Sequence, residues 1–415
     1  MRLAVVGSGI AGLASAWLLA RRHEVVLFEA ADRLGGHTHT HEVVLGSRPY
    51  QVDSGFIVMN PGNYPLFTRL LAELGVPTQP TTMGFSVRNE RSGLEYGTET
   101  LGALFCQRRN LASPRFIGMV RDILRFYRQA SRLLWAEGPG PTLGEYLERE
   151  RYGAMFRDDH LVPMAAALWS SPAQQVLGFP AKFLVRFMAN HHMLQADHRP
   201  QWSTVAGGST RYVDAMTARW PVQVRLATPV RRIERLDDGR GVRVLTAAGA
   251  ERFDQVVLAC HSDQALALLA QPTPVERELL GAIGYQRNAT VLHTDASVLP
   301  RNGRAWSAWN ALVPAEAGGQ CTVSYLMNRL QRLDAPAPLI VSLNLDARID
   351  PAKVIARMDY QHPAYSQAAV AAQARLGEIN GRDRLWYAGA WQGWGFHEDG
   401  MRSAVAVAAG LGVDW

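Results

Sequence analysis

An α/β fold with a parallel sheet is the class this chain predicts, and three observations near its start predict it. Leu3 to Val6 is a short apolar run of the kind that makes a buried parallel strand. Gly7-Ser8-Gly9-Ile10-Ala11-Gly12 follows at once, and Val25 to Phe28 is a second apolar run that stops on Glu29. Strand, glycine turn, helix, strand and acid in this order lay out a dinucleotide cradle of Rossmann type.

Each part of the cradle has a physical task. The glycines allow a tight turn that brings bare backbone N–H groups up to a pyrophosphate, and the helix opening after Gly9 points its positive end at that anion. Glu29, twenty residues beyond Gly9, is placed to accept hydrogen bonds from ribose hydroxyls; its charge would repel a 2′-phosphate, which disfavours NADP. A competing reading is a signal peptide or a membrane span, because Leu3 to Ala20 is almost free of charge and follows Arg2. The glycines, the modest length and the second strand ending on Glu29 argue against it, and no other stretch of eighteen apolar residues follows. The expectation is a soluble, cytoplasmic protein.

At 415 residues the chain exceeds what one core usually holds, so two domains are expected, and a hydrophobic content of 47% is that of a globular protein. The net charge of +6 comes almost wholly from arginine, since Lys182 and Lys353 are its only lysines. No nucleic-acid-binding motif accompanies that charge, so no nucleic-acid partner is expected. Cys106, Cys260 and Cys321 are odd in number and lack metal or CxxC spacing, which suits a reducing compartment and ordinary buried thiols.

Past the cradle, Val52 to Ile57 reads as a strand that returns to the nucleotide. Tyr64 to about Leu194 reads as mainly helical, with turns at Gly138-Pro139-Gly140-Pro141 and Ser171-Pro172. A loop at Ala206-Gly207-Gly208 leads into a helix. Short strands follow at Val222 to Leu226, Val230 to Leu236 and Gly241 to Leu245, punctuated by Asp237-Asp238-Gly239, and Phe253 to Ala259 is another buried strand. From Gly284 to Ala371 strands at Ala289 to Thr294, Cys321 to Leu326 and Leu339 to Leu343 alternate with loops. Leu385 to Gly389 is a last strand, and a helix runs from about Asp399 to Gly410.

These residues carry a resemblance. The stretch Arg33-Leu34-Gly35-Gly36, the segment Val52-Asp53-Ser54-Gly55, Thr228-Pro229-Val230, Val256-Val257-Leu258-Ala259, Tyr387-Ala388-Gly389 and Glu398-Asp399-Gly400 are similar to those of the flavin amine oxidoreductase superfamily. That group holds monoamine and polyamine oxidases, phytoene desaturases and protoporphyrinogen oxidase. Within it the chain most resembles bacterial NAD/FAD-binding flavoproteins associated with modification of unsaturated or cyclopropane-type fatty acyl chains. The implied architecture is a glutathione-reductase-like FAD-binding domain, residues 1–60, 205–283 and 372–415, with an inserted α+β substrate domain, residues 61–204 and 284–371.

The resemblance implies FAD. Gly7, Ser8, Gly9 and Ala11 would hold the pyrophosphate, Glu29 the adenosine ribose, and Val230 the adenine through its backbone, while Gly35, Gly36, His37 and Thr38 would wrap the phosphate and ribityl side. Gly12, Ala30, Arg33, Gly55, Phe56 and Gly389 complete the cradle, and the closing helix, with Glu398, Asp399 and Met401 at its start, would aim its N-terminal amides at the flavin. No cysteine lies near Gly389 to Met401, so attachment is expected to be non-covalent.

Trp391, Trp394, Phe396 and His397 put four ring side chains into seven residues and are the candidates to face flavin and substrate; no catalytic base is assigned. A tyrosine commonly stands in amine oxidases where His397 falls, and many relatives carry a lysine that reaches flavin N5 through water. Here neither lysine lies in the Ala289 to Asp295 region where it is expected. Both departures weigh toward carbon–carbon desaturation of an apolar or lipid substrate and away from amine oxidation. The rivals are a flavin amine oxidase and a flavin-bearing accessory protein of a lipid-modifying enzyme.

Three further features invite function. His37, His39 and His41 alternate as metal ligands on a strand do, but no acid or cysteine clusters with them, so no metal is expected. In Asn190-His191-His192 adjacent rings point apart, which favours surface or core roles, although one ring could meet substrate. From Arg108 to Arg132 seven arginines face one acid, Asp122, while Phe116, Val120, Ile123, Leu124, Tyr127 and Leu134 recur at three- and four-residue steps. That is a basic amphipathic helix, read either as a core-packed domain helix or as a peripheral contact with an anionic membrane.

Overall fold

The computed structural model describes residues 1–169, 173–195, 199–236, 239–315 and 322–415. The turn expected at Ser171-Pro172, Asp237-Asp238 and Cys321 lie outside them.

The apolar runs become a five-stranded parallel sheet in the order Leu385–Tyr387, Gln255–Leu258, Arg2–Val6, Glu24–Phe28, Val222–Arg225. Strands buried on both faces need continuous apolar sequence, and Leu3, Ala4, Val5, Val26, Leu27, Val256, Val257 and Leu258 are all buried. The first helix, Ile10–Leu19, and the closing helix, His397–Gly410, pack together on one face. A three-stranded antiparallel sheet, Arg232–Arg235, Val242–Thr246 and Gly249–Phe253, joins the core on the other.

A second sheet of seven strands runs Val354–Ala364, Gly284–His293, Ile340–Leu343, Thr322–Leu326, Trp309–Val313, Phe85–Asn89, Leu94–Gly97. It is antiparallel except where Trp309–Val313 lies parallel to Phe85–Asn89. The mainly helical reading of residues 64–194 is therefore corrected at its start. After the helix Pro65–Leu74, Thr78–Thr81, Phe85–Asn89 and Leu94–Gly97 are strands, and the remaining helices come after them. The alternating Phe85, Val87 and Asn89 are paired on both sides, so tertiary pairing decides their state. Trp309–Val313 and the eleven-residue Val354–Ala364 are strands the sequence reading passed over, and the strand expected across Val52 to Ile57 ends at Asp53.

The basic segment is also corrected. It is a 3-10 turn at Arg108–Ala112, an α-helix at Pro114–Gln129 and a second 3-10 turn at Ala130–Trp135. Ser113 starts the α-helix by accepting the Phe116 N–H at its hydroxyl, and Pro114 takes the first-turn position where a missing N–H costs nothing. Among the described residues no helix is long and apolar enough to cross a membrane.

Candidate active site

The glycine turn is held by contacts that a side chain would destroy. A Cβ on Gly12 would lie 1.9 Å from the Gly7 carbonyl oxygen, so helix and turn meet only because Gly12 has none. A Cβ on Gly9, by contrast, would meet nothing within 4 Å, because Gly9 faces open space. That space is a cavity of about 1530 Å³. No side chain caps the helix that starts at Ile10, so its first amides have no intrahelical or capping partner.

Of the residues singled out from sequence, Gly7, Ser8, Gly9, Ala11, Glu29, Ala30, Gly35, Gly36, His37, Gly55, Phe56, Val230, Gly389, Trp391, Trp394, Phe396 and His397 all line this one cavity. The Glu29 carboxylate accepts from the Ser8 N–H at 2.8 Å, the Ser8 hydroxyl at 2.5 Å and the Ala31 N–H at 2.8 Å. Gly55 passes so close to the His37 carbonyl, 2.0 Å from its would-be Cβ, that only glycine fits.

Six others are not on the wall. Gly12 serves the packing just described. Arg33 donates to the carbonyls of Gly36 and Thr38 and so shapes the loop from outside the cavity. Thr38 is buried behind the wall, its hydroxyl 2.6 Å from the Tyr212 hydroxyl and 3.1 Å from His397 Nε2. Glu398 accepts the N–H groups of Leu66 and Phe67 and thereby caps the helix Pro65–Leu74. Asp399 accepts the N–H groups of Trp394 and Phe396, pinning the aromatic loop, and Met401 is packed in the core. Carboxylates at a helix start find backbone donors wherever they lie, and here those donors are the protein's own.

The aromatic loop is tightly bound. The Trp391 indole N–H donates to the Cys260 carbonyl, His397 stacks on Phe56 at 3.5 Å, and Phe396 stacks on Phe187 at 5.2 Å. Burial alone holds the His397 imidazole down at about 3. Of the histidine pair, His191 is buried among Phe187, Trp394 and Phe396 while His192 is exposed, and both line the cavity.

His37 lies with Tyr360 at 4.8 Å and His362 at 5.3 Å, and its Nε2 is buried without a partner. Burial first and neighbouring histidines second keep its pKa well below the ordinary value. His39 and His41 lie against each other, tilted by 40°, with ring centroids 3.9 Å apart. Neither lysine lines the cavity: Lys182 donates to the Ala136 carbonyl and Lys353 pairs with Asp295. Cys260 is on the wall, its thiol pushed by burial up to about 12.

Beyond the cradle the cavity continues as an apolar limb that the sequence did not disclose. Met83, Phe85, Leu104, Val120, Ile123, Tyr127, Met164, Leu168, Trp309 and Tyr325 line it. The basic helix turns Phe116, Met119 and Phe126 into the core and Val120, Ile123, Leu124 and Tyr127 to the limb. At the limb's edge Leu101 and Leu124 are 76% and 45% exposed.

An open parallel sheet whose first turn floors a cavity of this size is the layout of a two-dinucleotide-binding α/β protein. The chain belongs to the flavin-containing amine oxidoreductase family, whose model matches residues 10–294 and whose members are FAD-dependent oxidoreductases. It is 28% identical over 292 residues to AofH of Mycobacterium tuberculosis, named as a flavin-containing monoamine oxidase, covering 66% of this chain. The chain spans 60% of the length of the curated relatives it matches. Solved structures share the fold. A CLA-producing fatty acid isomerase from P. acnes has a TM-score of 0.70 at 16% identity over 98% of each chain. Putrescine oxidase bound to putrescine gives 0.71 at 15% and cyclohexylamine oxidase from Brevibacterium oxydans 0.69 at 17%, each over 99% of both chains.

The family's cofactor is FAD, and the residues present fit it. An uncapped helix start, a glycine open to the cavity beside it and a buried His37 nitrogen without a partner are what an incoming diphosphate would satisfy.

Proposed function

We propose that this protein dehydrogenates an apolar chain, such as an unsaturated, methylated or cyclopropane-type fatty acyl group. The carrying observation is the apolar limb together with its acids. Glu29 and Glu99 are the only carboxylates on the described wall, and both are engaged, Glu99 by Arg329 at 2.8 Å. An ammonium group would find no free countercharge there, whereas a hydrocarbon finds a largely apolar wall.

Gly7, Ser8, Gly9 and Ala11 would hold the FAD diphosphate, Glu29 the ribose and Val230 the adenine, with Ala30, Gly35, Gly36, His37, Gly55, Phe56 and Gly389 around them. Bound FAD supplies a hydride acceptor. The chain's own part is to orient one C–H bond and keep water away: Trp391, Trp394, Phe396 and His397 wall the junction of cradle and limb, and the limb aligns the chain. In the same reading residues 1–60, 205–283 and 372–415 form the nucleotide unit, and residues 61–204 and 284–371 the substrate unit. Leu101 and Leu124, with the arginines of the basic segment beside them, would let the limb open onto an anionic membrane surface, where each cation near the surface contributes about 1 kcal/mol. Absence of co-sedimentation with anionic vesicles would remove that last element.

Anaerobic mixing of FAD-loaded protein with candidate acyl lipids tests the main reading. Bleaching of the oxidised flavin absorbance by one class of lipid is expected, and no bleaching by any lipid overturns it. A second reading, amine oxidation, is favoured by the similarity to AofH. Peroxide release from a panel of amines would establish that reading in place of the first.

A further inference from the structure

One polar group in the limb has no use so far. His160 sits in a single π-turn, Arg157–Leu161, between Ala154–Phe156 and Val162–Trp169; such turns inside helices are frequent at functional sites. His160 is 3% exposed and lines the cavity beside Phe85 and Met164, whereas Tyr96, which holds its Nδ1 at 2.9 Å, is not on the wall. Its Nε2 is buried with no partner.

The proton positions follow from the partners. The Tyr96 hydroxyl also lies 2.8 Å from the Asp159 carbonyl, which can only accept, so the single phenolic proton is used there. Tyr96 oxygen must then accept from His160, which places the imidazole proton on Nδ1 and leaves Nε2 as a bare lone pair. The Asp159 carboxylate is fixed in turn by the Asn89 amide, so the turn is braced from behind. Burial first and the charge of Arg199, also on the cavity wall, second hold the imidazole at about 4, so it is neutral at physiological pH. Phe156 at 6.0 Å and Phe85 at 6.4 Å give it aromatic neighbours that offer no strong donor. A buried acceptor without a partner is destabilising unless a donor arrives.

We propose that His160 Nε2 is a substrate-binding acceptor, and that the substrate is a long apolar chain carrying a hydroxyl group part-way along it. The assignment rests on the reading of the limb as an acyl site. The O–H of the chain would donate to Nε2 and fix how deep the chain sits. With the depth set, one carbon and no other is presented to the cofactor.

The test is displacement of a fluorescent fatty-acid probe from FAD-loaded protein by a set of equal-length fatty acids with the hydroxyl walked along the chain. One or two adjacent hydroxyl positions should bind about five- to tenfold more tightly than the unsubstituted acid. In His160→Leu that preference should vanish while the unsubstituted acid binds at least as well as before, and His160→Gln, which keeps an acceptor, should retain part of it. Tyr96→Phe should weaken the preference selectively; a merely structural role would weaken all chains alike. Flavin absorbance and melting temperature report folding of each variant. If wild-type protein binds every chain with equal affinity, the assignment is overturned and the acyl reading stands. If it binds none of them, the acyl reading itself fails and the assignment falls with it.

Discussion

At one end of the cavity the wall is backbone, with Gly7, Gly9, Gly35, Gly36 and Gly55 exposing amides and carbonyls. At the other end it is side chains, with Met83, Phe85, Val120, Ile123, Met164 and Leu168 contributed by a loop, a strand and two helices far apart in sequence. The difference lies in what each end can tolerate. A backbone wall works because atoms are missing: one added methyl group intrudes on fixed backbone atoms at Gly7, Gly35 and Gly55, and on the cavity itself at Gly9. A side-chain wall works by total volume and polarity, and such surfaces accept exchange among residues of similar size.

The sharpest way to break this contrast is Gly12→Val. Its Cβ would sit 1.9 Å from a backbone oxygen that has nowhere to go, so protein made with this change should lack bound FAD, read from the ratio of flavin to protein absorbance. Normal yellow colour would show that the turn can yield. Glu29→Ala comes next. Hydrogen bonds to a charged group are worth about 1.5–3 kcal/mol each, so FAD affinity measured by fluorescence titration of apoprotein should fall about tenfold or more. An unchanged affinity would mean that Glu29 serves only to orient Ser8.

At the side-chain end Leu168→Trp should fill the limb and lower acyl-probe affinity about five- to tenfold while leaving the flavin content as in wild type. Flavin loss in that variant would erase the distinction between the two ends.

A smaller, shared effect concerns acid. His160 and His362 are held at about 4 and His397 at about 3, all by burial, against an ordinary 6.5. Below 6.5 the unfolded chain takes up protons that the folded chain refuses, so stability is complete above that value and is lost as pH falls toward 4. At pH 5 each deeply buried ring should cost on the order of 1 kcal/mol, seen as a melting temperature lower than at pH 7. Equal melting temperatures at the two values would contradict the burial of these rings.

The same contrast explains what could be read in advance. The nucleotide end was legible because its constraints are local: a tight turn, an approach to the next strand and an acid at a fixed distance each demand a residue type. The limb was not legible, because Phe85 meets Trp309 only through strand pairing, and Ile123 and Met164 reach one cavity only through tertiary packing. Seven arginines drew attention to the outer side of the basic helix, while its inward Val120, Ile123 and Tyr127 were the side with a cavity. The carboxylates of Glu398 and Asp399 have a use that only the fold shows: the amides of Leu66, Phe67, Trp394 and Phe396 donate to them. His160 had one faint mark, the polar Asp158-Asp159-His160 just before the apolar Leu161 to Trp169. The π-turn that aims it has no sequence code.

The parallel sheet also fixes an order of events during synthesis. Arg2–Val6 and its glycine turn are made long before Leu385–Tyr387, which completes the sheet's edge beside Gln255–Leu258, and the helix His397–Gly410, which packs against Ile10–Leu19. Until both are made the turn is a half-built pocket. Capture of the nucleotide therefore waits for them, and a ribosome stalled before residue 385 would carry a nascent protein unable to turn yellow.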